Sequence, residues 1–115
     1  MQIQIKRAYA EVLASDGKRI LVDRLWPRGI KKEDAKIDLW LKNITPSTEL
    51  RKWYGHDPEH WDEFQQRYRA ELQQQVALLQ QISEIAKQEK ISLITAAKSE
   101  KYNHVIVLKK VLEES

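Results

Sequence analysis

Ile20-Leu21-Val22-Asp23-Arg24-Leu25-Trp26-Pro27-Arg28-Gly29 decides how the rest of this chain is read. Three consecutive aliphatic residues suit a strand covered on both faces. Charges follow at once, and Pro27 lacks the N–H that a ladder needs and pushes Trp26 towards an extended backbone. A strand over 19–24 is therefore expected to run into a loop that carries two arginines and an aspartate. In open α/β sheets such strand ends gather the ligand-binding loops.

Upstream, Ile3 and Ile5 alternate with Gln2, Gln4 and Lys6, the period of a half-exposed strand, expected over 2–9. Ser15-Asp16-Gly17-Lys18 reads as the turn between the two strands, while 10–14 has no clear period. That connection of about ten residues is short for an ordinary helical crossover, which leaves an antiparallel pairing of the two strands open along with the rest of the topology.

Downstream, 31–34 is a solvated link of about one helical turn. Ile37, Leu39 and Leu41 alternate with polar positions and Trp40, a third and weaker strand. Thr45 or Ser47 as cap, Pro46 and Gly55 bracket a short helix over 46–54. From Trp61 to Ala86 apolar residues recur every ~3.6 positions, which marks an amphipathic helical stretch over 58–89. Unbroken, it would be ~48 Å long at ~1.5 Å per residue, longer than the ~34 Å diameter of a compact domain of this size. A bend or break is expected at Gln73-Gln74-Gln75, although no Gly or Pro marks it. Ile91 to Thr95 is a core strand, and Asn103 caps a last helix running to about residue 112. Strands interleaved with helices give a single α/β domain over 1–115, layered, with a largely parallel central sheet flanked by helices.

At 115 residues the chain is one domain in size and long enough to fold without staples. It has no cysteine, which excludes disulfides, thiolate catalysis and Cys-based zinc sites. No apolar run approaches the ~18 residues of a membrane span and the start lacks a signal-peptide pattern, so the expected location is cytoplasmic, with no membrane partner. The formal charge is +3, and the excess sits early: residues 1–36 hold nine basic and five acidic side chains. A mild excess of this kind permits an anionic partner without demanding one.

Two strand ends supply the candidate site. Arg24 and Arg28 can clamp phosphate or carboxylate oxygens bidentately, and Gly29 allows a ligand or a backbone to come close. Thr95-Ala96-Ala97-Lys98 leads to Asn103-His104, where Lys98 and a helix start would favour an anion. Arg51 belongs to the same ligand-binding set. Asp23, His56 and His104 are the acid and base candidates, His56 because a turn histidine titrates near neutrality. Alternation along a strand places Asp23 and Arg24 on opposite faces, so they are not expected to share a pocket. The competing structural reading makes Asp23 and Arg24 a buried pair, Trp26 and Pro27 a packing lid, Lys98 a solvated cation and Asn103 only a cap. His56 and His60 have metal-ligand spacing, but Asp57 and Pro58 start a helix between them, so no metal site is expected. No cofactor motif or nucleophile signature is present.

Taken together, Lys6-Arg7 with Tyr9, Asp16-Gly17, 21–29, Trp40-Leu41-Lys42, Pro46-Ser47, Leu50 to Trp53, His56-Asp57-Pro58, Phe64, Tyr68, Glu71-Leu72, 95–98 and Asn103-His104 closely resemble the YeaO-like family of bacterial proteins, a domain-of-unknown-function family. The segment 10–14 departs from that pattern, where relatives are expected to carry a more polar, Pro-containing loop. The resemblance implies a small α/β domain with a shared set of polar positions and implies no particular reaction or cofactor. Three functions follow as expectations. A small-molecule anion site (phosphate, nucleotide or carboxylate) with weak hydrolase or transferase chemistry ranks first, because the polar positions fall on strand-end loops. A nucleic-acid module using the basic first third is second, and a protein-interaction domain third.

Overall fold

The computed structural model describes residues 1–114. Four strands, β1 (Ile3–Arg7), β2 (Lys18–Leu21), β3 (Leu39–Trp40) and β4 (Ile91–Thr95), form one sheet in the order β1-β4-β2-β3 with every neighbouring pair parallel. Five helices complete the domain: α1 (Lys32–Ala35), α2 (Thr48–Tyr54), α3 (Trp61–Leu72), α4 (Val76–Gln88) and α5 (His104–Glu113).

The first two strands do not pair antiparallel. β4 lies between them and both run parallel to it. A five-residue strand is only ~17 Å long, and ten extended residues reach ~33 Å, so the connection returns to the start of β2 with no more than a single 3-10 turn at Ala14–Asp16. Gly17 (φ +68°) makes the last turn of this return against the Lys90 carbonyl.

The long helical stretch breaks where the sequence places the break. α3 ends at Leu72, Gln75 sits at φ −117° and ψ 38°, and α4 starts at Val76. Nothing local forces this. Both helices keep their apolar faces on the core, Phe64, Tyr68 and Leu72 from α3 and Ile82 and Ala86 from α4, which a straight rod overrunning the sheet could not do.

The two faces of the sheet are covered differently. Ile20, Val22, Ile91 and Leu93 pack on α2 to α5 in the main core. Leu21 and Ile94 point the other way, under Trp26, Ile30 and Ile37 from the loop that carries α1 and Trp40 from β3. On that same face Asp16 is 1% exposed and bonds Lys6 Nζ at 2.7 Å and Arg19 Nη1 at 2.6 Å.

Candidate functional site

An all-parallel sheet brings every strand's carboxyl end to one edge, and here those ends are tied to each other by side chains. β2 stops at Leu21, but ladder bonding continues one residue further, with Val22 N–H donating to the Ile94 carbonyl at 3.0 Å. The chain then leaves the sheet. The Asp23 carboxylate accepts from Thr95 Oγ1 and from the Ala96 N–H, each at 2.7 Å, which joins the ends of β2 and β4. Trp40 Nε1 donates to the Asp23 carbonyl at 2.7 Å, which adds the end of β3. His104 Nε2 lies 2.7 Å from the Val22 carbonyl and 3.5 Å from Asp23 Oδ1, which adds the start of α5. Because a carbonyl only accepts, Nε2 carries the hydrogen.

Around this junction lies an open cavity of about 380 Å³. Asp23, Arg24, Arg28, Arg51, His56 and His104 all line it, with Tyr9, Trp26 and Pro27 among the apolar contributors. Asp23 and Arg24 therefore share one pocket. The alternation that separates strand neighbours ends with the strand, and both residues lie in the loop beyond it. Nor do they pair with each other: Asp23 is held by β4, while Arg24 Nη2 donates to the Pro46 carbonyl at 3.4 Å.

Two residues of the expected set stand elsewhere. Lys98 is exposed and lies outside the lining of this cavity. Asn103 caps α5, its Oδ1 accepting from the Val105 and Ile106 N–H groups and its Nδ2 donating to Ser99 O, so its polar atoms are spent on the fold. Trp26 packs edge-on against Trp40 at 5.5 Å and donates to Ile30 O at 2.6 Å, the packing lid of the structural reading. His56 and His60 separate: His56 lines the cavity, and His60 stacks on Trp53 at 4.6 Å.

The electrostatics of the cavity are lopsided. Among the described residues none of Arg24, Arg28 and Arg51 forms an ion pair, and Arg24 Nε is buried without a hydrogen-bond partner. The Arg51 guanidinium has one hydrogen bond among the described residues, to Thr48 Oγ1 at 3.3 Å. Asp23, the one carboxylate of the lining, already accepts two hydrogen bonds. Burial pushes the His104 imidazole below its ordinary pKa, helped by Arg51 and His56 and opposed by the Val22 carbonyl and Asp23. A neutral His104 that donates through Nε2 presents a bare Nδ1.

Sequence reasoning missed the parts that hold the site together. Thr95, read from the sequence only as the end of a core strand, fixes Asp23. Tyr9 belongs to the rim, its hydroxyl donating to Arg28 O at 3.0 Å. Neither bond has a local signature: the first joins the ends of β2 and β4, and the second joins the loops that follow β1 and β2, segments that meet only in the folded sheet.

This is a small all-parallel α/β domain whose strand-end loops enclose an arginine-lined cleft. The chain belongs to the family described as "Inactive DUF488-N3 subclade", matched over residues 2–115. It is 48% identical over 108 residues to the uncharacterized protein YeaO of Escherichia coli K12, covering 94% of each chain. It is 38% identical over 111 residues to the uncharacterized protein Rv3073c of Mycobacterium tuberculosis H37Rv, covering 96% of this chain and 93% of that protein. The YeaO-like resemblance read from the sequence therefore holds along nearly the whole chain. No solved structure matches.

Proposed function

We propose that this protein binds a small anion in the strand-end cleft, its phosphate or carboxylate oxygens lying among Arg24, Arg28 and Arg51. The observation that carries the reading is three guanidiniums on one cavity of about 380 Å³ with no carboxylate paired to any of them. An arginine with no carboxylate partner keeps its fork of N–H donors free for the oxygens of a phosphate or carboxylate. The volume falls within the range of small-molecule sites.

Binding is favoured over turnover. The word "inactive" in the family description supports this, and so does the engagement of Asp23 and His104 in holding the loops together. His56, whose ring hydrogen-bonds to no described residue, is the remaining proton carrier for hydrolase or transferase chemistry. No helix among the described residues is long and apolar enough to cross a membrane, and a cytoplasmic location is part of the proposal.

The nucleic-acid reading has less support. It needs exposed rings for stacking, whereas none of the four tryptophans is exposed and Arg7 already stands 5.5 Å over Tyr9.

Calorimetric titration with inorganic phosphate at low salt tests the proposal. Measurable binding weakened about tenfold or more by Arg28→Ala and by Arg51→Ala is expected, since each deletes a charge-assisted contact. No binding, or equal affinity in both variants, overturns it.

A further inference from the structure

The cleft has a side chamber. A second cavity of about 170 Å³ opens beside the first, sharing Pro46, Arg51, His56, Ala97 and His104 with it. Beyond those shared residues its walls are Tyr54, Phe64, Tyr102 and Asn103. We propose that the anion held by the arginines carries a single aromatic ring, and that this chamber seats the ring. The inference rests on the anion-binding reading and adds the class of ligand.

Three features of the chamber select such a ring. The first is size: a cavity of roughly 150 Å³ with apolar walls accepts benzene, and this one is about 170 Å³. The second is the wall itself. Tyr54 and Phe64 stack at 4.2 Å and Trp61 meets Tyr102 edge-on at 5.7 Å, so the aromatic side chains brace one another and present fixed surfaces.

The third is how the polar groups of the wall are used. The Tyr54 hydroxyl donates to Tyr102 O at 2.7 Å, Asn103 is consumed by its cap, and His104 Nε2 donates to Val22 O. The Tyr102 hydroxyl, the Arg51 guanidinium, the His56 ring and His104 Nδ1 are the polar groups left for a ligand. A nucleobase needs partners along its whole hydrogen-bonding edge, whereas a plain aryl ring needs none. With Arg51 at the boundary of both cavities, the charged group and the ring belong to one short molecule, an aryl phosphate or an aromatic carboxylate.

Titrations of the wild-type protein with inorganic phosphate, methyl phosphate and phenyl phosphate separate the two levels of the argument. Phenyl phosphate is expected to bind about tenfold tighter than methyl phosphate, from the apolar area the ring removes from water. Tyr102→Ser, which removes a wall that the anion cleft does not share and keeps the backbone carbonyl that Tyr54 uses, should abolish that advantage and leave methyl phosphate affinity unchanged. If Tyr102→Ser fails to fold, Tyr102→Leu keeps an apolar side chain in the same place and should lose most of the advantage for want of the aromatic face. Equal affinity for phenyl and methyl phosphate, or variants that weaken all probes alike, overturns the ring inference while the anion reading stands. If no probe binds at low salt, the anion reading fails, and the inference with it.

Discussion

Asp23 and Thr95 are joined at 2.7 Å across the carboxyl edge of the sheet, and the other oxygen of the same carboxylate takes the Ala96 N–H at the same distance. The pair closes the gap between neighbouring strands β2 and β4 just where both leave the ladder, so the cleft above stands on a fixed floor. Thr95 is itself buried, and its hydroxyl oxygen also accepts from the Ala97 N–H at 3.1 Å. Asp23→Asn keeps the shape but must set an amide against a backbone donor or lose the threonine hydroxyl. A loss of about 1–2 kcal/mol is expected, with Asp23→Ala costing about 2–3 kcal/mol. Urea unfolding of both variants and of Thr95→Val checks this. A double-mutant cycle should give a coupling of about 1 kcal/mol; additive losses would mean that the two side chains do not act together.

His104 makes the fold sensitive to mild acid. Burial, with Arg51 and His56, holds its pKa below the ordinary imidazole value, so the unfolded chain takes up a proton more readily than the folded one. Stability from this residue is complete above the unfolded pKa of ~6.5 and declines as the pH falls through the lowered folded value. The urea midpoint should therefore drop between pH 7.5 and pH 5.5. His104→Gln should be less stable at pH 7.5, through loss of the ring's packing, but should show a shallower drop. An identical slope in wild type and variant would assign the pH dependence to other groups.

The second titrating centre lies on the opposite face of the sheet and acts in a different pH range. Burial raises the Asp16 pKa, but Lys6, the Leu13 N–H and Arg19 outweigh it and hold the carboxyl at about 2, against 3.8 for the free side chain. A carboxylate depressed in this way stabilises the fold above ~3.8, and that contribution is lost as the pH falls towards ~2. The difference is worth about 2 kcal/mol at neutral pH. Asp16→Asn should cost at least that much, because it also leaves the nearly buried Arg19 without its counter-charge. Chemical denaturation at pH 7 and at pH 2.5 should show the gap between variant and wild type narrowing on acidification; a constant gap would contradict the assignment.

How much of this was legible in the sequence depends on the range over which each signal acts. Ser47 capping α2, Asn103 capping α5 and Asp57 starting the turn before α3 are contacts within three residues, and the sequence shows them plainly. The break at Gln73 to Gln75 is legible too, through a length argument that needs no local breaker. Strand order is not legible, because the place of β4 between β1 and β2 depends on residues 73 and 88 positions apart in sequence, as in Lys18 with Ile91 and Ile3 with Ile91. The cleft falls between these cases. Six of its eight expected residues meet, since they sit in loops that a parallel sheet must bring to one edge. Lys98 does not: it is exposed, three residues past the buried Thr95, and no side-chain hydrogen bond or ion pair among the described residues aims it inwards.

Gly17 and Gly29 both have positive φ, at +68° and +82°, yet their surroundings differ. At Gly17 an added Cβ would stand 2.1 Å from the Lys90 carbonyl oxygen, the same oxygen that accepts the Lys18 N–H at 2.9 Å to open the β2–β4 ladder. Backbone on both sides leaves no flexible atom to yield. Gly17→Ala is therefore expected to cost about 3 kcal/mol or more, from strain and steric conflict together. At Gly29 nothing lies within 4 Å of the Cβ position, so the conformation alone requires glycine, and the protein packs no backbone against it. Gly29→Ala should cost only about 1 kcal/mol. Thermal melts of the two variants decide the matter: comparable losses would mean that backbone conformation, and not the approach of Lys90, explains the glycine at the entry to β2.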